Sequence, residues 1–338
     1  MRKYNFVSVL GFIMFIVLIS SLSVMAADPV VFRFATDNNI KSPLAQAGYK
    51  MSKLVNERTG GEVQIEVYHS GQLGDDRDVV ESIQLGGDMI GATGTSVYSA
   101  WVPEVKLFDL PFLFRNTSHA EAVFNGEIGR RFDKYYEENG FKILTYMDGG
   151  FRDFSNSKRP VYSVEDIKGL KVRLMQTPYY IEAMKEFGAE VIVMPYSELF
   201  MALKQGIVDG QENNATLTYT EMMHTMGQKY WSPIHYAYCV VPLAMNLELF
   251  NKLTPEQQDI LIKSANDAAV YEFEYYRKVE NEYMNKLREE GVTVPRVDEL
   301  NLSGFYKAAE NVWEKLKDEF DIELAHEIQN YGLYPVTE

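Results

Sequence analysis

Beyond residue 26 the apolar positions switch repeatedly between alternation and helical spacing, and a capping residue or a glycine marks each switch. Residues 31–36 read as a strand. Ser42-Pro43 opens a helix that Gly60-Gly61 closes, and 62–69 alternates again as a strand. Asp75 and Asp76 head a further helix through Leu85, Gly86 ends it, and 89–93 is a short buried strand. A chain that begins strand-helix-strand-helix-strand predicts a mainly parallel sheet.

The same order returns in mid-chain. Ser163 caps a turn ending at Gly169, 170–175 is a strand, Thr177-Pro178 opens a helix ending near Gly188, 191–194 is a strand and 197–205 a helix. The close Ala202-Leu203-Lys204-Gln205-Gly206-Ile207-Val208-Asp209 echoes Ser82-Ile83-Gln84-Leu85-Gly86-Gly87-Asp88, each a helix ending in glycine before an aspartate-led strand. Two related lobes explain the echo; chance likeness between common helix-glycine-strand junctions is the alternative. Later, Thr254-Pro255-Glu256-Gln257 is a capping box, and neither glycine nor proline follows until Gly291. One helix over 255–290 would reach roughly 54 Å, enough to run across both lobes. Its aromatics Tyr271, Phe273, Tyr275, Tyr276 and Tyr283 are expected to pack on the lobes, since no sustained heptad supports a coiled-coil partner.

The first residues carry a different pattern. Arg2-Lys3, the apolar run 6–19, Ser20-Ser21 and Val24-Met25-Ala26 read as a signal peptide over 1–26, cleaved after Ala26. The run falls short of the roughly 20 residues of a permanent span, and a retained anchor lacks the stop-transfer charges it would need. Losing Arg2 and Lys3 takes the formal charge from −15 to −17, which excludes nucleic acid and anionic membrane surfaces as partners. An anionic ligand would therefore need a local basic pocket. The mature length exceeds what one core usually supports, which again favours two lobes. Cys239, the only cysteine, lies in the apolar run 237–241 and reads as a buried strand position. It offers no disulfide and no lipid attachment near the cleavage site, so the expected location is a periplasm.

Enzyme signatures are missing: there is no His-Glu-x-x-His, Gly-x-Ser-x-Gly, Walker loop or cysteine pair, and the five histidines are scattered. No catalytic residue, metal site or cofactor is predicted. The informative stretch is Lys168-Gly169-Leu170-Lys171-Val172-Arg173-Leu174-Met175-Gln176, an alternating strand carrying Arg173 just before a helix start. A strand arginine needs a partner, and its planar fork donates two parallel hydrogen bonds to a carboxylate. That carboxylate could belong to a ligand or to a surface glutamate.

Three segments carry a family resemblance: Ser70-Gly71-Gln72-Leu73-Gly74-Asp75-Asp76-Arg77, Lys168 to Arg173, and Val208-Asp209-Gly210-Gln211-Glu212-Asn213. With Met194-Pro195-Tyr196-Ser197-Glu198 they make the mature chain similar to the DctP-type solute receptors of TRAP transporters. The resemblance implies a two-lobed α/β periplasmic-binding-protein fold with mixed sheets flanked by helices and one long helix spanning both lobes. It implies a monomer with residues 27–149 and 239–278 in one lobe and 150–238 and 279–338 in the other, crossing near Gly149-Gly150, Tyr238-Cys239 and Arg277.

By resemblance the ligand-binding residues are Arg173 for the carboxylate, Arg152 as a second arginine, Asn213, Tyr196 over the ligand, and from the first lobe Asp76 and the loop with Thr95. Asp76 could equally serve only as a helix cap. The implied ligand is a small organic acid, a C4-dicarboxylate or a sugar acid; two arginines suit the former, Asp76 and Asn213-Asn214 the latter. The implied partners are TRAP membrane permease subunits driven by an ion gradient, with no cofactor; a sensory subunit presenting the same acid to a signalling kinase is the rival.

Overall fold

The computed structural model describes residues 28–332; the signal segment and its cleavage after Ala26 lie outside the described residues. Eight strands form one sheet: β1 (Val30–Ala35), β2 (Val63–Tyr68), β3 (Met89–Ala92), β4 (Phe141–Asn156), β5 (Lys171–Leu174), β6 (Glu190–Val193), β7 (Gly210–Glu212) and β8 (Tyr230–Asn246). Their order is β2-β1-β3-β8-β4-β7-β5-β6. Within β2-β1-β3 and within β7-β5-β6 all neighbours are parallel. The two groups are joined by β8 and β4, which run antiparallel to each other and to the strands beside them.

The parallel expectation thus holds inside each half and fails at the junction. Strands β4 and β8, 16 and 17 residues long, far exceed β7 and β3 beside them at 3 and 4, because each serves both halves in turn. Their pairing shifts register between Asp148 and Phe151, where Gly149 and Gly150 together oppose Cys239, so a bulge bends the ribbon at the expected crossing. Gly150 has φ 77° and abuts the hydroxyl of Tyr276, a close approach that only glycine permits.

Helices begin where their capping signals stand. Ser42 Oγ accepts the Ala45 N–H at 3.2 Å ahead of the helix Pro43–Arg58. Thr254 and Gln257 close a reciprocal box at 3.2 and 3.1 Å ahead of the helix Pro255–Glu289. This long helix lies along both halves. Near its start Arg58 donates to Ser264 at 3.1 Å, in its middle Glu272 accepts the Asp148 N–H of β4 at 3.0 Å, and towards its end Tyr283 stacks on Tyr219 at 5.1 Å. Phe273, Tyr276 and Tyr283 are buried as expected. Tyr271 and Tyr275 are not: they stack on each other at 6.1 Å, half-exposed on the outer face.

One apolar core joins Val79, Phe108, Phe132 and Phe141 to Leu174, Tyr179 and Phe305, so packing continues from one half into the other. A second, holding Phe34, Met51, Leu243 and Leu261, sits beneath the first half of the long helix. Cys239 is half-buried and faces the bulge.

Gly150→Ala is expected to lower stability by about 3 kcal/mol, against about 1 kcal/mol for Gly140→Ala, as read by urea unfolding. Both glycines have positive φ, 77° and 83°, but a methyl group at 140 meets open space while one at 150 meets Tyr276. Equal losses would show that the bulge tolerates a side chain.

Candidate functional site

In each half the loops that leave the carboxyl ends of the parallel strands converge on the space beside the β4–β8 ribbon. Asp37 follows β1, Thr93 and Ser96 follow β3, Met175 follows β5, Tyr196 follows β6 and Asn213 follows β7. This is where ligands enter parallel α/β sheets, because backbone groups and helix starts are open there.

Arg173 lies on β5 between β6 and β7, its neighbours Val172 and Leu174 buried in the core. It is 1% exposed. Nε and Nη2 both donate to the Met194 carbonyl, at 3.0 and 2.8 Å, and the guanidinium rests 5.6 Å from the centre of the Tyr196 ring. Nη1 is buried and has no hydrogen-bond partner among the described residues. Burial draws the pKa of this group down to about 10, so it remains a cation at neutral pH with a donor unsatisfied. The surface salt bridge is absent among the described residues: Arg173 pairs with no carboxylate.

Arg152, on β4, is held by an internal partner. Its Nε donates to Glu212 Oε2, and Nη2 donates to Glu212 Oε1 at 2.8 Å, to the Glu212 carbonyl at 3.2 Å and to Asn213 Oδ1 at 3.4 Å. Tyr236 donates a further bond to Glu212 at 3.1 Å. Arg152 borders the cavity, as a second ligand-binding arginine would, and its charge is paired with an internal acid. Asn213 is buried beside it, donating from Nδ2 to Gln211 Oε1 at 2.6 Å. Asn214 caps the following helix, and its Nδ2 reaches the Gly149 carbonyl of the bulge at 2.8 Å.

From the first half come Asp37 and Asp76. The helix cap is Asp75, whose side chain accepts the Arg77 and Asp78 N–H groups, so Asp76 is left facing the cavity. Thr95 is buried behind the loop, whose cavity-facing residues are Thr93, Gly94 and Ser96; that corrects its assignment as a contact. Burial, with Asp37 next, holds the Asp76 carboxyl well above the usual range, and burial pushes Asp37 up to about 6 against the opposing bond from Asn38 at 2.6 Å. Tyr196 has a buried hydroxyl without a partner, and burial raises its pKa well above the ordinary value, so it remains a donor.

The space has two connected parts. An inner cavity of ≈ 70 Å³ is bordered by Arg152, Asn213, Asp148 and Tyr276, and an outer one of ≈ 520 Å³ by Arg173, Tyr196 and Thr177. Asp37, Asp76, Ser96, Val97, Met175 and Tyr196 border both. The halves touch across the mouth: Asn39 donates from N and Nδ2 to Glu221 at 3.2 and 2.7 Å, and Ser96 Oγ lies 3.5 Å from Met175 Sδ. Sequence reasoning missed Asp37, Glu212 and Asp148. Asp37 stands directly after a strand, the position that identified the other loops, and Glu212 lies inside the motif used to place Asn213.

Behind the cavity lies a carboxyl pair. Glu272 on the long helix is 0% exposed, and Asp148 on β4 borders the inner cavity. Glu272 Oε1 and Asp148 Oδ2 have no partners. Burial pushes Asp148 up to about 6 and, with Asp148 next, raises Glu272 well above its ordinary value.

A family model described as bacterial extracellular solute-binding protein, family 7 (DctP), matches residues 34–319. The chain is similar to the 2,3-diketo-L-gulonate-binding periplasmic protein YiaO of Escherichia coli K12, with 31% identity over 86% of this chain and 87% of the relative. It is also similar to the C4-dicarboxylate-binding periplasmic protein DctP of Rhodobacter capsulatus, with 27% identity over 81% of this chain and 82% of the relative. Among solved structures, the sugar acid binding protein DctPAm of Advenella mimigardefordensis in complex with galactonate superposes with a TM-score of 0.85 at 27% identity, covering 89% of this chain and 97% of that one.

The carboxyl pair gives a signed pH effect. Folding raises the Glu272 pKa, so its contribution is present below the ordinary carboxyl range and is lost as pH climbs from there towards the folded value. Glu272→Gln keeps the acceptor for the Asp148 N–H and does not titrate. It is expected to exceed the parent in stability by about 1 kcal/mol or more at pH 8, with the gap closing by pH 4, in urea unfolding at both values. A gap that is independent of pH would show that Glu272 holds no proton.

Proposed function

The chain belongs to the DctP family of bacterial extracellular solute-binding proteins, and on that premise we propose that it is an exported periplasmic receptor. It binds a small organic acid, a sugar acid or C4-dicarboxylate, through Arg173 and delivers it to the membrane subunits of a TRAP permease. The observation that carries this reading is the unpartnered Nη1 of a guanidinium buried beside a cavity. Leaving a charged donor buried and unpaired is costly, and a ligand carboxylate removes that cost while gaining a replacement for its own lost water. The Tyr196 hydroxyl and ring and the Asn213 amide, at the same space, supply orientation and apolar contact. The relatives are receptors, and the site is built to hold an acid without altering it.

Both halves contribute to the lining, so a ligand that touches both stabilises the closed form over the open one. The lobes divide as 27–149 with 239–278 and 150–238 with 279–338, and the Gly149-Gly150 bulge is the bend in the ribbon. The bonds from Asn39 to Glu221 close the mouth, and the closed shape is what the permease would recognise.

Arg173→Lys keeps the charge and loses the fork. With the tightest binder from a thermal-shift panel of aldonates, uronates and C4-dicarboxylates on refolded protein, calorimetry is expected to show a loss of about 10- to 100-fold at unchanged Tm. Equal affinity in variant and parent would refute Arg173 as the anchor.

A further inference from the structure

The family holds both dicarboxylate and sugar-acid receptors, so membership alone does not choose between them. Resting on Arg173 as the carboxylate anchor, we infer that this receptor selects hydroxyl-rich monocarboxylates and disfavours dicarboxylates, with Asp37 and Asp76 setting the choice.

The charges around the cavity decide it. A dicarboxylate needs two cations, and of the cations that border the space only Arg173 is both buried and without a carboxylate partner among the described residues. The charge of Arg152 is taken by Glu212, and Arg77 at the outer rim donates to Glu81 at 3.0 Å. Lys106 is half-buried in the wall of the outer part, which Asp75 also borders. Four carboxyls border the space: Asp37 and Asp76 in both parts, Asp75 in the outer part with Arg173, and Asp148 in the inner part. Glu221, the remaining acid nearby, already accepts two bonds from Asn39.

Asp37 and Asp76 are also short of donors. Asp37 accepts a single side-chain bond, from Asn38 at 2.6 Å, and no hydrogen bond acts on Asp76 among the described residues. Ligand hydroxyls fill such acceptors, because O–H to carboxylate is a strong, charge-assisted bond. A second carboxylate in the same place brings charge against charge and donates nothing. Burial holds both acids above their ordinary range, with repulsion from Glu221 on Asp37 and from Asp37 on Asp76, so negative charge is already disfavoured there.

Acids that differ only at one end provide the test. D-Galactonate and D-gluconate share their carbon chains with galactarate and D-glucarate, in which the terminal CH2OH is a second carboxylate. Calorimetry at pH 7.5 on refolded protein is expected to show an aldonate bound roughly 100-fold more tightly than its matched diacid and than succinate. Asp37→Asn and Asp76→Asn, with Tm confirming the fold, are expected to weaken the aldonate and to narrow that gap about tenfold. A diacid or succinate within threefold of the best aldonate, no aldonate binding, or a gap unchanged in both folded variants overturns the inference. Should either variant not fold, the parent's ranking of the five acids decides alone. Arg173→Lys separates the two readings. A diacid that binds tightly and depends on Arg173 sinks the selectivity and leaves the anchor standing, whereas aldonate binding indifferent to Arg173 sinks the anchor.

Discussion

A guanidinium sealed inside a protein demands acceptors for all its donors, and that demand organises this molecule. Arg173 finds one carbonyl, that of Met194, and nothing for Nη1. An arrangement this unfavourable persists only where the surrounding sheet fixes it: β5 is flanked on both sides, and Val172 and Leu174 lock its register by packing inward. In the proposed function, this unfilled donor is what a ligand carboxylate in the space beside it would satisfy. The contrast with Arg152 is instructive, since the same side chain at the border of the inner cavity has its charge paired with Glu212 through Nε and Nη2.

The sheet order explains how two halves share one space. Each half is a parallel α/β unit whose functional loops sit at strand carboxyl ends, and a ribbon of two antiparallel strands joins them. Because β4 and β8 pass through both units, the closure proposed above would bend at their bulge, where the pairing already shifts register. The long helix runs beside this ribbon and packs on both units, so tilting also involves its middle, where Glu272 and Tyr276 press against Asp148 and Gly150.

Much of the fold was legible because its signals are local. The boxes at Asp75 and Thr254, the prolines at 43 and 255 and the alternation through Arg173 depend on a few adjacent residues, and the structure follows them to within a residue or two. What was not legible depends on partners far apart in sequence. The bond between Arg152 and Glu212 joins strands 60 residues apart, and the antiparallel run of β4 and β8 joins segments about 90 apart. Asp76 and Thr95 show a finer limit. Sequence placed both in loops near the cavity, but which of two adjacent residues turns inward depends on backbone geometry, and this gave the cap to Asp75 and the lining to Ser96.

The solitary thiol of Cys239 borders the inner cavity opposite the bulge, and burial pushes its pKa up to about 12. A sulfur that stays protonated is a poor nucleophile, so it neither shuffles with other thiols nor captures oxidants readily. With one cysteine in the chain, no disulfide closes the mouth. Every contact across the mouth is therefore reversible, and the capture and release proposed for this receptor would run on weak forces alone.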